Sequence, residues 1–401
     1  MNSLHTPSTP ALVSRLPAVG TTIFTEMSAL AQQHQAINLG QGFPDFECDP
    51  DLIEHVRAAM QEGLNQYPPM AGVAALRLAI SQKISQLYEC EYDSDSEITV
   101  TAGATQAILT AILCAVHPGD EVIVIEPAYD SYVPAITLAG GVPVLVQMEI
   151  DQRGYYIPWD RVAAAVTNKT RMLIINSPHN PTGSILRQHD IAALTELVQH
   201  SNLLILSDEV YEHMVYDGEV HESLSRYPEL AARAMVVSSF GKTCHVTGWK
   251  VGYVAAPAAL MHEFRKVHQF NVFTVNTPMQ YGLAHYMANP APYLELPAFY
   301  QRKRDFFRAG LQHTPFELLP ADGTYFQCVR YDSFSDILEA DFAKWLTRET
   351  GVAAIPVSAF YQQPRQSGIV RFCFAKKDHT LEMALARLSH LAQPGKASPA
   401  R

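Results

Sequence analysis

The sequence predicts an α/β fold, with a mostly parallel seven-stranded sheet covered by helices on both faces and a smaller α+β domain. Seven short apolar runs rich in β-branched residues recur along residues 98–255. Segments with helical spacing separate most of these runs. Continuous apolar strands that alternate with helices indicate a parallel sheet rather than a β-sandwich. Past about residue 290 the pattern changes, which indicates the smaller domain.

Local composition predicts the individual elements. Residues 104–113 and 189–198 place apolar side chains at helical spacing and predict two of the connecting helices. The runs 323–329 and 368–375 predict strands of the smaller domain. Proline, serine and alanine dominate the chain up to about residue 17 and from about residue 393, which we expect to be tails. The strands predicted for the large sheet are 98–101, 121–125, 142–146, 171–175, 202–206, 234–237 and 251–255.

Composition and charge narrow the classes of partner. The chain has 401 residues and a net charge of −11, which disfavours nucleic acid. The six cysteines are scattered and form no C-x-x-C, so we expect reduced thiols and a cytoplasmic location. No segment approaches 18 continuous apolar residues, so no membrane span is predicted. No metal site is expected, because the histidines form no recognised ligand spacing.

Polar side chains, or a helix start with free backbone N–H groups, follow five of the seven predicted strands. Open α/β sheets bind ligands at the carboxyl ends of their strands, so we expect these side chains to converge on one crevice. Plainer interpretations remain open for these positions. Gly103 could belong to a tight turn, Asp208 could cap a helix, and Tyr211 could be a core residue. The positions are Gly103, Ala104, Thr105, Tyr129, Asn180, Asp208, Tyr211, Ser239 and Lys242.

One cofactor requires such a set of groups. A phosphate seat, an aromatic ring, an amide, a carboxylate, a phenol and an amine match pyridoxal 5'-phosphate, which is bound by a lysine Schiff base and tuned by an acidic partner. A dinucleotide site and a Walker nucleotide site are disfavoured, because G-x-G-x-x-G and G-x-x-x-x-G-K-[ST] are absent. A serine hydrolase is disfavoured, because no G-x-S-x-G occurs at a strand end.

Motifs over nearly the whole chain carry a family resemblance. The chain resembles the fold-type I, class I aminotransferases, and within them the branch of kynurenine, glutamine and methionine aminotransferases, with most likeness to bacterial methionine-preferring members. The motifs are N-L-G-Q-G-F-P-D-F at 38–46, N-Q-Y-P-P-M-A-G at 65–72, T-A-G-A-T-Q-A at 101–107, E-P-A-Y-D-S-Y at 126–132, N-S-P-H-N-P-T-G at 176–183, S-D-E-V-Y at 207–211, S-S-F-G-K-T-C-H-V-T-G-W-K-V-G-Y at 238–253 and V-R-F-C-F-A at 370–375.

The resemblance implies a role for each residue of the cofactor site. Lys242 is the expected Schiff-base lysine and proton carrier, and Asp208 the partner of the pyridine nitrogen. Tyr211 and Asn180 are expected to hydrogen-bond the phenolic oxygen of the ring, and Tyr129 to stack on its face. The phosphate is expected to contact Gly103, Ala104, Thr105, Ser239, Lys250 and Tyr67, the last donated by the second subunit of a homodimer.

The resemblance also implies how an amino-acid substrate binds. Arg371 is expected to clamp the α-carboxylate, assisted by Gly40 and Asn180. Phe24, Phe43, Tyr129 and Phe273 are expected to form an apolar pocket. Plainer interpretations remain for Arg371, as a surface ion pair, and for Tyr67, as local core.

The expected reaction is ping-pong transamination of a neutral L-amino acid with a 2-oxo acid. Residues 269–276 contain no arginine, so we do not expect an acidic side chain in the substrate. Methionine ranks first, because V-H-Q-F-N-V-F-T-V-N-T-P at 267–278 resembles bacterial methionine-preferring members. An aromatic wall suits its sulfur and also accepts aromatic amino acids, kynurenine and glutamine. The alternatives are a kynurenine or aromatic aminotransferase with cysteine-conjugate β-lyase activity and, more remotely, a non-catalytic cofactor-binding module.

The resemblance finally implies a domain organisation. Residues 1–48 are expected to form an N-terminal arm and part of the small domain. Residues 49–288 are expected to form the large cofactor-binding domain, and residues 289–401 the C-terminal small domain.

Overall fold

A seven-stranded sheet runs through the chain in the computed structural model, which describes residues 12–363 and 365–391. Most of the two predicted tails lies outside these ranges. The strand order is β2-β10-β9-β8-β7-β3-β4, and only β10 runs antiparallel to its neighbours. The predicted fold class is therefore confirmed. The strands of this sheet are β2 (Ile98–Thr101), β3 (Glu121–Glu126), β4 (Val142–Gln147), β7 (Thr170–Asn176), β8 (Leu204–Asp208), β9 (Ala234–Ser239) and β10 (Gly252–Ala255).

Helices cover both faces of this sheet. Alternate strand residues point to opposite sides, so apolar side chains on each face pack against helices. On β3, Val122 and Val124 pack into one core, and Ile123 and Ile125 pack into the other. The helices are α1 (Ile23–Gln33), α2 (Pro50–Gln61), α3 (Ala74–Tyr88), α4 (Gly103–Ala115), α5 (Tyr132–Ala139), α6 (Trp159–Ala164), α7 (Gln188–Gln199), α8 (Pro228–Ala231), α9 (Phe240–Thr243), α10 (Ala258–Asn271), α11 (Thr277–Tyr286), α12 (Ala291–Leu294), α13 (Leu296–Leu311), α14 (Glu339–Thr350) and α15 (Asp378–Ser389).

A second, antiparallel sheet lies in the C-terminal part of the chain. Its order is β11-β12-β15-β14, and α13, α14 and α15 pack around the same core. The predicted domain limits at residues 48/49 and 288/289 stay a prediction. The remaining strands are β1 (Ile37–Asn38), β5 (Glu149–Asp151), β6 (Gly154–Tyr156), β11 (Glu317–Leu318), β12 (Phe326–Arg330), β13 (Val352–Ala353), β14 (Ile355–Pro356) and β15 (Ile369–Cys373).

The strand predicted at residues 323–329 begins later than the composition indicates. Gly323 forms an isolated bridge with Val215, Thr324 and Tyr325 form a turn, and β12 starts at Phe326. Thr324 has a φ of 64°, in the left-handed region that a β-branched residue rarely adopts. The turn holds this shape because the Thr324 carbonyl accepts a hydrogen bond from the hydroxyl of Tyr216.

No helix within the described residues is both long and apolar enough to cross a membrane. Over the same residues, no group of three or more His, Cys, Asp or Glu side chains is placed to hold a metal ion.

Candidate active site

A cavity of about 330 Å³ lies at the carboxyl ends of the central strands. Asn176 ends β7, Asp208 ends β8 and Ser239 ends β9, and all three line it. The structure therefore places these strand ends around one crevice. The predicted residues that line the cavity are Phe24, Gly103, Ala104, Thr105, Tyr129, Asn180, Asp208, Tyr211, Ser239, Lys242, Lys250 and Arg371.

Four predicted site residues do not line this cavity. Gly40 lies behind it, where its carbonyl contacts Arg371. Phe43 is 43% exposed and lies beside the amine of Lys376. Tyr67 and Phe273 pack on each other with ring centroids 5.3 Å apart, and both are exposed. The pocket roles of Phe43 and Phe273 stay predictions.

Asp208 is a buried carboxylate with a partner that the sequence pattern did not indicate. Tyr132, the first residue of α5, donates a hydrogen bond of 2.6 Å to Asp208 Oδ2. Burial raises the pKa of Asp208 to about 6, and the Tyr132 hydrogen bond acts in the opposite direction. A cationic group placed against Asp208 would remove this burial penalty on the carboxylate.

We expect Asp208→Asn to raise the melting temperature of the cofactor-free chain by about 2–4 °C at pH 7.5 and by about a third as much at pH 4.5. Because the pKa of Asp208 in the folded chain lies above its usual 3.8, the cost of the charged form begins near pH 3.8, grows as the pH rises and is complete above about pH 6. Thermal unfolding at both pH values measures the effect, with Asp160→Asn on the surface as control. A gain of equal size at both pH values would contradict the ionisation argument.

Lys242 follows β9 on the short helix α9, and its amine faces the cavity. Burial lowers the pKa of Lys242 to about 8, while Cys373 raises it and Arg371 lowers it. The amine donates hydrogen bonds to the hydroxyl of Tyr325 at 2.8 Å and to the carbonyl of Gly42 at 3.3 Å. An amine with a pKa near 8 exists in both protonation states at neutral pH, as a group that moves protons must.

A cationic, glycine-rich corner occupies the other end of the cavity. Gly103 begins α4 with a φ of 76°, and a Cβ there would lie 3.2 Å from Lys250 Nζ. Gly252 has no room for a Cβ, which would lie 2.7 Å from the Ser238 carbonyl oxygen. The free N–H groups of α4 and the Lys250 amine therefore form a seat for an anion such as a phosphate.

Arg371 is a buried cation without a carboxylate partner within the described residues. It is 1% exposed, and its guanidinium donates to Asn180 Oδ1 at 2.5 Å and to the Gly40 carbonyl at 3.0 Å. The guanidinium carbon lies 3.8 Å from the ring centroid of Phe326. Its Nε has no hydrogen-bond partner in the described part of the chain. Such a guanidinium is prepared to bind a carboxylate.

Other residues of the cavity were missed by the sequence reasoning. Asn176 donates to the Asp208 carbonyl and accepts from the Asn180 backbone N–H, each at 2.8 Å, and thereby fixes the loop after β7. It belongs to a motif quoted above, so its position at a strand end was a usable signal. Two partners of cavity groups were also missed. Tyr132 ends the motif quoted at 126–132, so its position too was a usable signal. Tyr325 lies in no quoted motif, and its contact with Lys242 arises only from tertiary packing.

Comparison with known proteins agrees with this geometry. Residues 34–388 match the family model described as aminotransferase class I and II. The methionine aminotransferase of Escherichia coli K12 is 50% identical over 379 residues, covering 94% of this chain and 98% of that protein. A solved structure of YbdL from E. coli, identified with a methionine aminotransferase function, gives a TM-score of 0.93 at 49% identity over 96% of this chain and 100% of the other.

Two further relatives carry other substrate names. A probable N-succinyldiaminopimelate aminotransferase of Mycobacterium tuberculosis is 40% identical over 391 residues, covering 95% of this chain and 98% of that protein. A kynurenine–oxoglutarate transaminase of Dictyostelium discoideum is 35% identical over 406 residues, covering 91% and 93%. Family model, relatives and fold agree, and the chain belongs to the class I and II aminotransferases.

Proposed function

We propose that this aminotransferase uses pyridoxal 5'-phosphate in the cavity to transfer the amino group of a neutral L-amino acid, with methionine preferred, to a 2-oxo acid. One observation carries the proposal. A single cavity combines the Lys242 amine, the buried Asp208 carboxylate and the guanidinium of Arg371, which pairs with no carboxylate within the described residues. An amine, an acid and a carboxylate clamp are the three groups that transamination of an α-amino acid needs.

The residues present fit the cofactor of this family, since class I aminotransferases depend on pyridoxal phosphate. The corner formed by Gly103, Lys250 and the start of α4 suits its phosphate. Asp208 suits its pyridine nitrogen, because a protonated ring would pair with a buried carboxylate. Tyr129, whose hydroxyl lies 3.3 Å from Thr105 Oγ1, presents an aromatic ring to the same space.

The protein groups divide the reaction among them. The chemistry that pyridoxal phosphate supplies when bound is an aldehyde for the amino group and a ring that accepts the electron pair of the α-carbon. Lys242 would take the proton from the substrate α-carbon and deliver it to the carbon of the cofactor's aldehyde group. Asp208, held by Tyr132, would keep a proton on the pyridine nitrogen of the bound cofactor.

Arg371 binds the α-carboxylate of each substrate in turn. Asn180 and Gly40 accept two of its hydrogen bonds and hold the guanidinium plane, so that its remaining N–H groups face the incoming anion. Phe24 and Phe326 line the cavity beside it and keep water from the reacting atoms. Because amino acid and 2-oxo acid share this carboxylate, one clamp serves both half-reactions.

The cavity wall supports a neutral, apolar substrate side chain. Phe24, Ile108 and Val210 line the cavity next to aromatic rings. The cations that line the cavity within the described residues are Lys242, Lys250 and Arg371. The proposal assigns them to proton transfer, the phosphate and the α-carboxylate, so none is left to pair with an acidic substrate side chain. A thioether fits such a wall, because sulfur packs favourably against aromatic ring edges.

We expect kcat/KM for L-methionine to exceed that for L-aspartate and N-succinyl-L,L-diaminopimelate at least about 100-fold, because an unpaired carboxylate is costly to bury. We expect a smaller margin over phenylalanine, kynurenine and glutamine. Initial rates with these amino acids and a common 2-oxo acid measure the ranking. Phe24→Ala is expected to lower the methionine value about tenfold, with Phe306→Ala, a partly exposed phenylalanine outside the cavity, as control.

A higher kcat/KM for kynurenine or an aromatic amino acid would overturn the methionine preference. The kynurenine-type alternative predicts this result, together with pyruvate and ammonia from a cysteine S-conjugate.

We also propose a cytoplasmic homodimer in which Tyr67 of one subunit completes the phosphate site of the other. Tyr67 is 82% exposed and stacks edge-on against Phe273, and Phe270 nearby is exposed as well. Clustered exposed aromatic rings are typical of a surface that a partner covers. The cysteines are all free, which supports a reducing compartment.

A further inference from the structure

We propose that Tyr325 is a positioning residue. Together with the carbonyl of Gly42, it holds the Lys242 amine whenever this amine is not covalently attached to the cofactor. This inference rests on the proposed function, because it assigns Tyr325 a part in that reaction. Tyr325 belongs to none of the motifs or strand ends that indicated the site, and its contact with Lys242 is visible only in the structure.

Three groups form a closed hydrogen-bonded triangle. Lys242 Nζ donates to the Tyr325 oxygen at 2.8 Å and to the Gly42 carbonyl oxygen at 3.3 Å. The Tyr325 hydroxyl donates its own proton to the same Gly42 oxygen at 2.5 Å. Because that proton is committed to Gly42, the phenolic oxygen faces the amine only as an acceptor. No other acceptor of the Lys242 amine occurs among the residues that the structure describes.

The backbone holds Tyr325 rigidly in this position. Thr324, directly before it, keeps its left-handed conformation through a hydrogen bond from its N–H to the Met214 carbonyl at 2.9 Å and one from the Tyr216 hydroxyl to its carbonyl. At Gly323, a Cβ would lie 2.6 Å from Pro178 Cβ. Backbone strain that the surroundings maintain in this way is frequent at functional sites.

Packing fixes the ring as well. Tyr325 is fully buried, and its ring meets those of Tyr211 and Phe326 edge-on, with centroids 5.2 Å and 4.9 Å away. Lys242 Nζ lies 5.4 Å from the centroids of both Tyr211 and Tyr325. A phenylalanine at position 325 would keep this packing and remove only the hydroxyl.

The reaction explains why such a seat is useful. Lysine has a long, flexible side chain, and its amine has to remain within reach of the substrate α-carbon through each proton transfer. Two fixed acceptors restrict the free amine to one place and favour its protonated form. The other ionisable groups near this amine are Asp208, Tyr211, Lys250, Arg371 and Cys373, and none of them accepts a hydrogen bond from it.

Tyr325→Phe tests the proposal directly, and Tyr300→Phe is a matched control. The Tyr300 ring lies 5.8 Å from that of Tyr325, and its buried hydroxyl has no hydrogen-bond partner among the described residues. The first readout is acylation of Lys242 as a function of pH, measured by mass spectrometry with exposed Lys169 as internal reference. Acylation is measured on the full chain under two conditions. In one, pyridoxamine 5'-phosphate is present, which leaves the lysine free; in the other, no cofactor is present. The second readout is steady-state kinetics with L-methionine and a 2-oxo acid.

For Tyr325→Phe we expect the Lys242 acylation profile to move about one pH unit lower, and kcat to fall about tenfold with KM changed less than threefold. Tyr300→Phe is expected to match the wild type in both. Equal profiles for the two variants would overturn the proposal. Acylation of the cofactor-free chain reports on the hydrogen bonds that hold the Lys242 amine, even if the wild type fails to bind the cofactor or to transaminate. Failure of this inference can therefore be distinguished from failure of the proposed function.

Discussion

Lys242→Ala is expected to abolish transamination, with turnover reduced at least about 10⁴-fold. The structure places the lowered-pKa amine of Lys242 in the cavity at the end of β9, held by Tyr325 and Gly42. In the proposed reaction, its loss removes both the covalent attachment of the cofactor and the group that carries the proton at the α-carbon. Lys242→Arg should fail similarly, because a guanidinium keeps the charge but does not exchange protons at neutral pH.

The visible spectrum separates this chemical effect from unfolding. With pyridoxal phosphate, the wild type should show a yellow band that L-methionine converts to the near-ultraviolet band of the amino cofactor. Lys242→Ala should show no such conversion, and Lys266→Ala, at an exposed lysine paired with Glu263, should behave as the wild type. The melting temperature of Lys242→Ala should not fall, because burial disfavours its charged form. A colourless wild type that takes up no cofactor would contradict the cofactor assignment.

Arg371→Lys is expected to lower kcat/KM for methionine about 10²–10³-fold, mainly through KM. A lysine offers a point charge in place of a planar donor fork, so it cannot satisfy Asn180, Gly40 and a carboxylate together. Steady-state kinetics measure the loss, and the visible band of the bound cofactor should be retained, because the variant keeps Lys242 on α9 and Asp208 on β8.

Arg330→Lys is the matched control, since Arg330 ends β12 in the same sheet and pairs with Asp332 outside the cavity. If Arg371→Lys kept kcat/KM within about fivefold of the wild type, the carboxylate clamp would have to be assigned elsewhere.

The large sheet and much of the cavity could be predicted from the sequence because their signals are local. Each apolar run is a strand, and parallel strands bring their carboxyl ends to one edge, so Asn180, Asp208 and Lys242 meet there. The partners of these groups were not predictable in the same way. The hydrogen bond from Tyr132 to Asp208 joins residues 76 positions apart, and the one from Lys242 to Tyr325 joins residues 83 positions apart.

The smaller sheet was harder to predict because its strands are short and their ends are set by tertiary contacts. After Gly323, the run at residues 323–329 has the β-branched and aromatic composition of a strand from Thr324 onward. Tyr216 and Met214 nevertheless hold Thr324 in a turn, and this displaces the start of β12 to Phe326. The family resemblance placed Phe43 and Phe273 in the substrate pocket, whereas the structure leaves both outside the cavity of their own chain.

The hydrogen bonds of the site join very distant parts of the chain. Lys242 and Gly42 are 200 residues apart, and Arg371 and Gly40 are 331 residues apart. Synthesis proceeds from the N-terminus, so the segment around Gly40 can make its contact with Arg371 only after almost the whole polypeptide has been synthesised. A ligand that binds only the completed fold stabilises it by about 2.7 kcal/mol at 100 times its Kd. The carboxylate-binding site around Arg371 is thus expected to form last, and an interrupted chain lacking β15 should not bind the substrate carboxylate there.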